Sequence, residues 1–243
     1  MDDPACLDGA PWRGLGRRAA AVLGGPCEVC RQWSPTPFCG ACVGLYGRPV
    51  PRCPGCAQPT PDGVLCPSCR NAPGPISRTI VAFDYAFPWD RTILALKFQA
   101  RTDLAWPLAA AVARALDDTA GDALVDALVP VPLSDARLAE RGFNQSLLLA
   151  RCLSASRGVP VEGGVLQRPV DTAHQAVLSR EERVRNLEGA FMIDPRGRPA
   201  LAGRRIALVD DVVTTGATAS AAARELLRGG ARAVELWAVA RTV

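Results

Sequence analysis

Ile206-Ala207-Leu208-Val209 are apolar at four successive positions. No polar residue alternates with them, so a strand here is covered on both faces, as in a parallel sheet. A helical run, Ala219 to Leu227, follows and is closed by Gly229-Gly230, glycines that suit a helix stop. Similar units occur upstream. Arg78 to Tyr85, with its β-branched and aromatic residues, reads as a strand. Trp89 to Phe98 and Leu104 to Leu116 read as helices, and Leu124 to Val131 as a further strand. Asp135 to Arg157 reads as one helix, stopped by Gly158 and Pro160. Val165-Leu166, Phe191-Met192-Ile193 and Ala233 to Val239 complete the strands. Strands alternating with helices predict an α/β fold: a parallel sheet flanked by helices, with ligands bound at the strands' carboxyl ends.

Between the strand at Ile206 and the helix at Ala219 stand Asp210, Asp211, Val212, Val213, Thr214, Thr215, Gly216, Ala217 and Thr218. A strand, a hydroxyl- and glycine-rich turn and a helix start form an anion site. Gly216 permits close backbone approach, and the helix's first amides point at the ligand. The three threonines add hydroxyl donors, so the turn suits a phosphate monoester. Two carboxylates beside a phosphate would repel it. They make sense facing ribose hydroxyls, or a Mg²⁺ held by those hydroxyls and a pyrophosphate. A ligand with a 5-phosphate, a diol and a pyrophosphate is phosphoribosyl pyrophosphate (PRPP). Four apolar residues, two acids, two apolar residues and Thr-Thr-Gly-x-Thr resemble the PRPP-binding signature of type I phosphoribosyltransferases. The absence of Gly-Lys-[Ser/Thr] excludes a Walker loop.

A second loop is expected to face the same ligand. Val129-Pro130-Val131-Pro132-Leu133 ends a strand, and its prolines make the loop rigid. Arg137 and Arg141 then fall four apart, on one helix face, followed by Gly142, Asn144 and Gln145. Two arginines and a Gly-x-Asn suit a pyrophosphate; the bland alternative is a solvated helix face. Residues 168–190, polar and poorly periodic, read as a lid that closes over a reactive site, or as a surface loop.

The first third changes the picture. Eight of the ten cysteines form Cys-x-x-Cys pairs: Cys27/Cys30, Cys39/Cys42, Cys53/Cys56 and Cys66/Cys69. Each pair is a knuckle that aims two thiolates at one ion. Two knuckles make a tetrahedral Cys₄ site, for which Zn²⁺ is the usual occupant. Spacing leaves open which pairs share a metal, with neighbours favoured. A disulfide framework and an iron–sulfur cluster are the alternatives. Cys152 reads as packed core. Trp33, Phe38 and Tyr46 are either exposed aromatics or packing around the metal sites. Asn71-Ala72-Pro73-Gly74-Pro75 marks a boundary. The expected organisation is an amino-terminal extension over 1–24, with an amphipathic helix over 10–24, a double zinc ribbon over 25–72 and an α/β domain over 76–243.

Composition adds little. The 243 residues are 49% hydrophobic, enough for a real core, and 5% aromatic. The net charge of +4 permits nucleic-acid contact without arguing for it. Lys97 is the sole lysine. The start, Met1-Asp2-Asp3, shows no signal peptide, and no run of about 18 apolar residues marks a membrane span.

Taken together, the paired Cys-x-x-Cys knuckles, Leu96-Lys97-Phe98, Val131-Pro132-Leu133, Arg141-Gly142-Phe143-Asn144-Gln145, Gln175 with Arg183-x-x-Asn186, Gly189-Ala190-Phe191 and the Asp210-to-Thr218 signature resemble the ComF family of phosphoribosyltransferase-like competence proteins. The resemblance runs from Cys27 to the end of the chain. It implies a cytoplasmic protein with a zinc-binding module and a type I phosphoribosyltransferase-like domain, linked to natural transformation and DNA uptake. Two functions follow as expectations. One is a phosphoribosyltransferase using PRPP with Mg²⁺, in DNA uptake or nucleotide salvage. The other is a non-enzymatic PRPP or nucleotide sensor whose ribbons contact single-stranded DNA or a helicase.

Overall fold

The structure is a computed structural model that describes residues 24–119, 125–169 and 189–243. The expected helix over 10–24 and most of the expected lid lie outside the described residues.

The elements run in chain order as β1 (Gly25–Pro26), β2 (Trp33–Ser34), α1 (Gly40–Tyr46), α2 (Pro67–Asn71), β3 (Arg78–Asp84), α3 (Trp89–Phe98), α4 (Ala105–Asp117), β4 (Ala127–Pro130), α5 (Asp135–Arg141), α6 (Gln145–Arg157), β5 (Leu166–Gln167), β6 (Met192–Ile193), β7 (Arg205–Val213), α7 (Ala217–Arg228) and β8 (Ala233–Arg241). The main sheet has the order β3-β8-β7-β4, and every neighbouring pair is parallel. Its central strands are apolar on both faces, as the unbroken run at Ile206 predicts. On one face Leu108, Leu149 and Leu153 of α4 and α6 cover Val209 and Trp237; on the other, Ala222 and Leu226 of α7 join Leu201 against Leu208 and Leu236.

Two expectations need correction. Asp135 to Arg157 is two helices. Gly142 adopts φ +81 and closes α5, a conformation that costs glycine nothing. Asn144 then caps α6, its Oδ1 accepting from the Ser146 and Leu147 amides at 2.9 and 3.3 Å. The strands near Val165 and Phe191 do not join the parallel sheet either. β5 and β6 pair antiparallel as a separate ribbon, because two residues each are too short to reach a sheet neighbour and pack a helix crossover. Two further strands run longer than their apolar cores: β7 continues through both aspartates, and β8 through Arg241.

The Cys-rich segment docks on the sheet domain at two places. Around the first four cysteines, Phe38 meets the Trp89 ring edge-on at 5.1 Å, while Trp89 stacks on Phe83 at 3.7 Å. The Trp89 Nε1–H donates to the Tyr46 carbonyl at 2.8 Å, and Arg101 pairs with Glu28 at 2.7 Å. Around the second four, the Thr79 amide and hydroxyl donate to the Pro54 and Gly55 carbonyls at 2.8 Å each. Arg52 pairs with Asp84 at 2.7 Å. Cys152 is buried in the core, as expected.

Trp89 is fully buried and shared by the two parts. Trp89→Ala is expected to destabilise the fold by about 3–5 kcal/mol. Thermal denaturation checks this; a fall in Tm of under about 2 °C would contradict the packing described.

Candidate functional site

Parallel strands put their carboxyl ends on one edge of the sheet. There α7 leaves β7 toward one face, while α5 and α6 leave the adjacent β4 toward the other. Neighbouring strands whose connections diverge in this way open a crevice, the usual ligand position in such sheets.

The β7 side of the crevice carries the acids. Asp210 and Asp211 are strand residues near the end of β7, followed by Val212 and Val213. Thr214 and Thr215 are exposed. Gly216, at φ +77, turns the chain into α7 as its cap residue. Ala217 opens the helix, its amide donating to the Thr215 hydroxyl at 3.3 Å. The amides of Thr218 and Ala219 have no acceptor within the helix and face its amino-terminal end. The turn is therefore a ready anion cradle. Arg241, at the end of β8, donates through Nη1 to the Thr214 carbonyl at 2.6 Å and holds the turn from below.

The β4 side supplies the second loop. The Val131 amide donates to the Val209 carbonyl at 2.9 Å, and Asn144 Nδ2 donates to the Val131 carbonyl at 3.0 Å. Leu133 is half-buried between them and Ser134, which caps α5. Arg137 and Arg141 both lie on α5, four apart as expected. The Arg141 guanidinium donates to the Gln145 Oε1 and lies over the Phe98 ring at 5.0 Å. Asn144 and Gln145 thus hold the loop and the arginine in place.

The two carboxylates have different surroundings. Asp211 is 3% exposed, and its Oδ2 lies 3.1 Å from Lys97 Nζ on α3. Asp210 accepts from the Ser146 hydroxyl at 3.1 Å and from the Asp211 amide at 2.9 Å. Burial, and next the charge of Asp211, push Asp210 up to about 7, against the pull of Lys97, the Asp211 amide and Ser146. Arg141 is held below the usual guanidinium range by burial, which the charge of Asp211 opposes. Such a site holds its carboxylate charge at a disadvantage until a cation or a set of donors arrives.

Lys97 and Arg241 were missed as site residues by sequence reasoning. Lys97 had a signal: it is the sole lysine of the chain. Arg241 had one only in hindsight, as an arginine directly continuing an apolar strand.

The cysteines gather into two clusters, Cys27, Cys30, Cys39 and Cys42, and Cys53, Cys56, Cys66 and Cys69, with one ligand atom from each residue within 4.8 Å of the others. Neighbouring knuckles therefore share a site, as favoured from sequence. The Cys30–Cys39 and Cys56–Cys66 sulfurs are 3.7 Å apart. That is too long for a disulfide and matches the edge of about 3.8 Å of a tetrahedron with Zn–S bonds of about 2.3 Å. Knuckle amides point at the sulfurs: Cys39 N lies 3.4 Å from Cys27 Sγ, and Cys66 N lies 3.3 Å from Cys53 Sγ. Burial pushes the Cys27 and Cys53 thiols up, but the knuckle amides together outweigh it and bring both to about 6. The Cys42, Cys56 and Cys69 thiols go the other way, pushed up by burial, so it is the donor set and spacing that fit a divalent metal. Of the three aromatics in this segment, Phe38 is buried, Tyr46 is partly exposed, and Trp33 is 73% exposed.

Among the described residues, no helix is long and apolar enough to cross a membrane. No family model matches the chain. The chain is 35% identical over 229 residues to the DNA utilization protein YhgH of Escherichia coli K12, covering 90% of this chain and 98% of that protein. It is 30% identical over 220 residues to competence protein F of Haemophilus influenzae, covering 89% and 90%. A shorter match, 38% over 103 residues, links it to competence protein ComFC of Bacillus subtilis, covering 42% and 39%. Among solved structures, glutamine PRPP amidotransferase from B. subtilis aligns over 56% of this chain and 25% of that one, at 22% identity and a TM-score of 0.35. A purine phosphoribosyltransferase from Pyrococcus horikoshii aligns over 68% and 88%, at 17% identity and a TM-score of 0.30. Likenesses this loose decide nothing about ligand or chemistry.

The surroundings of Asp210 have a consequence for stability. Its folded value lies above the unfolded one, so its stabilising contribution is fully present below about pH 4 and is lost as pH rises through about 7. Asp210→Asn abolishes the titration. Without ligand, its Tm relative to wild type is expected to rise between pH 5 and pH 8.5 by more than about 2 °C. A difference that is flat across that range would show that Asp210 is not held in the neutral form.

Proposed function

The chain belongs to the ComF family of competence and DNA-utilisation proteins, and from that premise we propose that it is a phosphoribosyltransferase that binds PRPP with Mg²⁺ at the carboxyl edge of its parallel sheet and acts in DNA utilisation. The observation that supports this most is the arrangement at the end of β7. Two carboxylates, one paired with Lys97, are followed by two exposed threonines and a left-handed glycine that opens a helix.

In this reading the 5-phosphate sits on the turn from Thr214 to Thr218. The ribose diol faces Asp210 and Asp211, which also carry the Mg²⁺ that the pyrophosphate brings. The pyrophosphate lies toward Leu133 and the Arg137/Arg141 face of α5, with Asn144 and Gln145 fixing that loop. Val212, Val213 and Ala217 contribute backbone. A nitrogen of the acceptor forms a bond to the anomeric carbon as that carbon's bond to the pyrophosphate oxygen breaks. Pyrophosphate leaves with the electron pair, and the acceptor nitrogen gives up its proton. The chain supplies positioning and charge rather than a covalent partner. Lys97 offsets the repulsion between the second acid and an incoming polyphosphate. The segment 25–72 is read as a zinc-binding module and 76–243 as the PRPP domain.

One observation favours a second reading, a PRPP-responsive adaptor that grips single-stranded DNA. On the Cys-rich segment and beside it stand exposed Trp33, and Tyr46 edge-on to Phe87 at 5.4 Å with the Arg91 guanidinium over Phe87 at 5.3 Å. Aromatics beside arginine are a platform for unstacked bases.

Titration calorimetry with Mg²⁺ and PRPP, followed by pyrophosphate release with a panel of bases, separates the readings. Binding with release is expected; binding without release favours the adaptor. Asp210→Asn with Asp211→Asn is expected to lower PRPP affinity at least about 100-fold, as two charge-bearing contacts imply, while the protein still unfolds cooperatively. Unchanged affinity would remove the pocket assignment. Elemental analysis of freshly purified protein should find about two zinc ions per chain; iron, or no metal, would overturn the zinc sites.

A further inference from the structure

Arg241 is an arginine where none is needed for the sheet. It is 5% exposed at the end of β8, between the anion turn and the second Cys₄ cluster. Its Nη1 donates to the Thr214 carbonyl at 2.6 Å, and its Nε is buried with no hydrogen-bond partner. The Cys56, Cys69 and Cys66 sulfurs lie close enough to act on it electrostatically. A divalent ion on four thiolates leaves a net charge of about −2, and a buried guanidinium beside it is a fitting counter-charge.

A second connection runs alongside. Gln58, two residues past Cys56, donates through Nε2 to the Thr242 carbonyl at 3.2 Å, and the Thr242 amide donates to the Val213 carbonyl at 3.0 Å. Ala57, between Cys56 and Gln58, is fully buried in the same apolar cluster as Val213. The knuckle thus reaches the backbone of Val213 and Thr214 through two adjacent residues of β8's end. The first Cys₄ cluster docks elsewhere, through Phe38, Tyr46 and Glu28 onto Trp89 and Arg101.

We propose that Arg241 is a positioning residue that couples the second Cys₄ site to the anion turn, so that metal held by Cys53, Cys56, Cys66 and Cys69 orders the turn from Val213 to Gly216 and raises its affinity for a phosphate ester. The first cluster has no part in this coupling. The proposal rests on reading that turn as the phosphate-binding loop. Losing the metal scatters the thiolates, frees the Arg241 counter-charge and loosens the Gln58 link, so the turn loses support from both strands of the connection. By linkage, a phosphate ester on the turn must in return tighten the second metal and leave the first unchanged.

The test is amide hydrogen exchange over residues 212–218 in the full chain without ligand, for wild type, Arg241→Gln, Cys66→Ser and Cys39→Ser. Exchange there is expected to quicken at least about tenfold in Arg241→Gln and Cys66→Ser, as loss of one charge-assisted bond implies, and to stay at the wild-type rate in Cys39→Ser. Arg241→Gln should keep both metals, which a purely structural collapse of the module would not. Should Cys66→Ser fail to fold, Arg241→Lys keeps the charge beside the thiolates but shortens the reach to Thr214, and its exchange should quicken by less than that of Arg241→Gln. A second arm measures metal release to a chelator with and without PRPP: the ligand should slow one of the two metals. Unchanged exchange in Arg241→Gln, or equal quickening in Cys39→Ser, would overturn the coupling. Because exchange is read without ligand, a turn ordered through Arg241 in a protein that binds no PRPP would overturn the proposed function and leave the coupling standing.

Discussion

Parallel pairing of β3, β8, β7 and β4 brings Asp84, Arg241, Asp210 and Pro130 to the same edge of the sheet, and the remaining features of the molecule follow from that edge. An antiparallel sheet would scatter these strand ends over two edges. Here the direction of the strands concentrates two carboxylates, one lysine, the two arginines of α5 and a helix start around one crevice, with Arg241 beneath it. Concentration has a penalty: the acids repel each other and are partly cut off from water. Lys97, Ser146 and the Asp211 amide reduce that penalty without removing it, so Asp210 keeps a raised affinity for its proton. A site built this way is a poor place for bare charge and a good one for a ligand that brings its own cation.

The Cys-rich segment is tied to the same edge by necessity. Its strands are two residues long and its helices seven and five, too little to bury a core of its own. Cross-linking by metal and docking on the larger part are what remain. Docking uses two places on the β3 side of that part: the first cluster grips α3, which carries Lys97 at its far end, and the second grips β3 and the end of β8. The two Cys clusters are thereby placed behind Lys97, which faces the crevice, and Arg241, which lies beneath the turn.

Much of this was legible in the sequence where one physical rule acted alone. An unbroken apolar run predicts a strand covered on both faces, and Ile206 to Val209 is one. Cys-x-x-Cys spacing predicts knuckles, and neighbouring pairs share each cluster. Legibility failed where two rules compete. Asp135 to Arg157 has helical character throughout, yet Gly142 and the Asn144 cap end one helix and start another, because capping two short helices outweighs continuing one through a glycine. β8 reads as ending at Val239 because an arginine normally marks the surface, whereas Arg241 is kept inside by the Thr214 carbonyl and the nearby thiolates. Contacts between residues 27 apart, such as Arg241 and Thr214, leave no local periodicity to detect.

The basic residues show the same point from the side of charge. In a chain that uses arginine everywhere else, the only lysine is paired with Asp211. An arginine there would present a planar fork and fix the carboxylate in a bidentate geometry. A lysine ammonium is a compact charge with rotatable donors, and it can leave one oxygen for another with little rearrangement. That exchange is what a carboxylate needs if it is paired while empty and must turn to a ribose or a cation when a ligand arrives. Arg241 is the opposite case: its Nη1 donates to the Thr214 backbone carbonyl, and the guanidinium lies within electrostatic reach of a cysteine cluster, partners that do not change during a binding cycle. The mobile charge faces the crevice and the rigid one lies behind it, which fits a site whose front adapts to a ligand while its floor stays fixed.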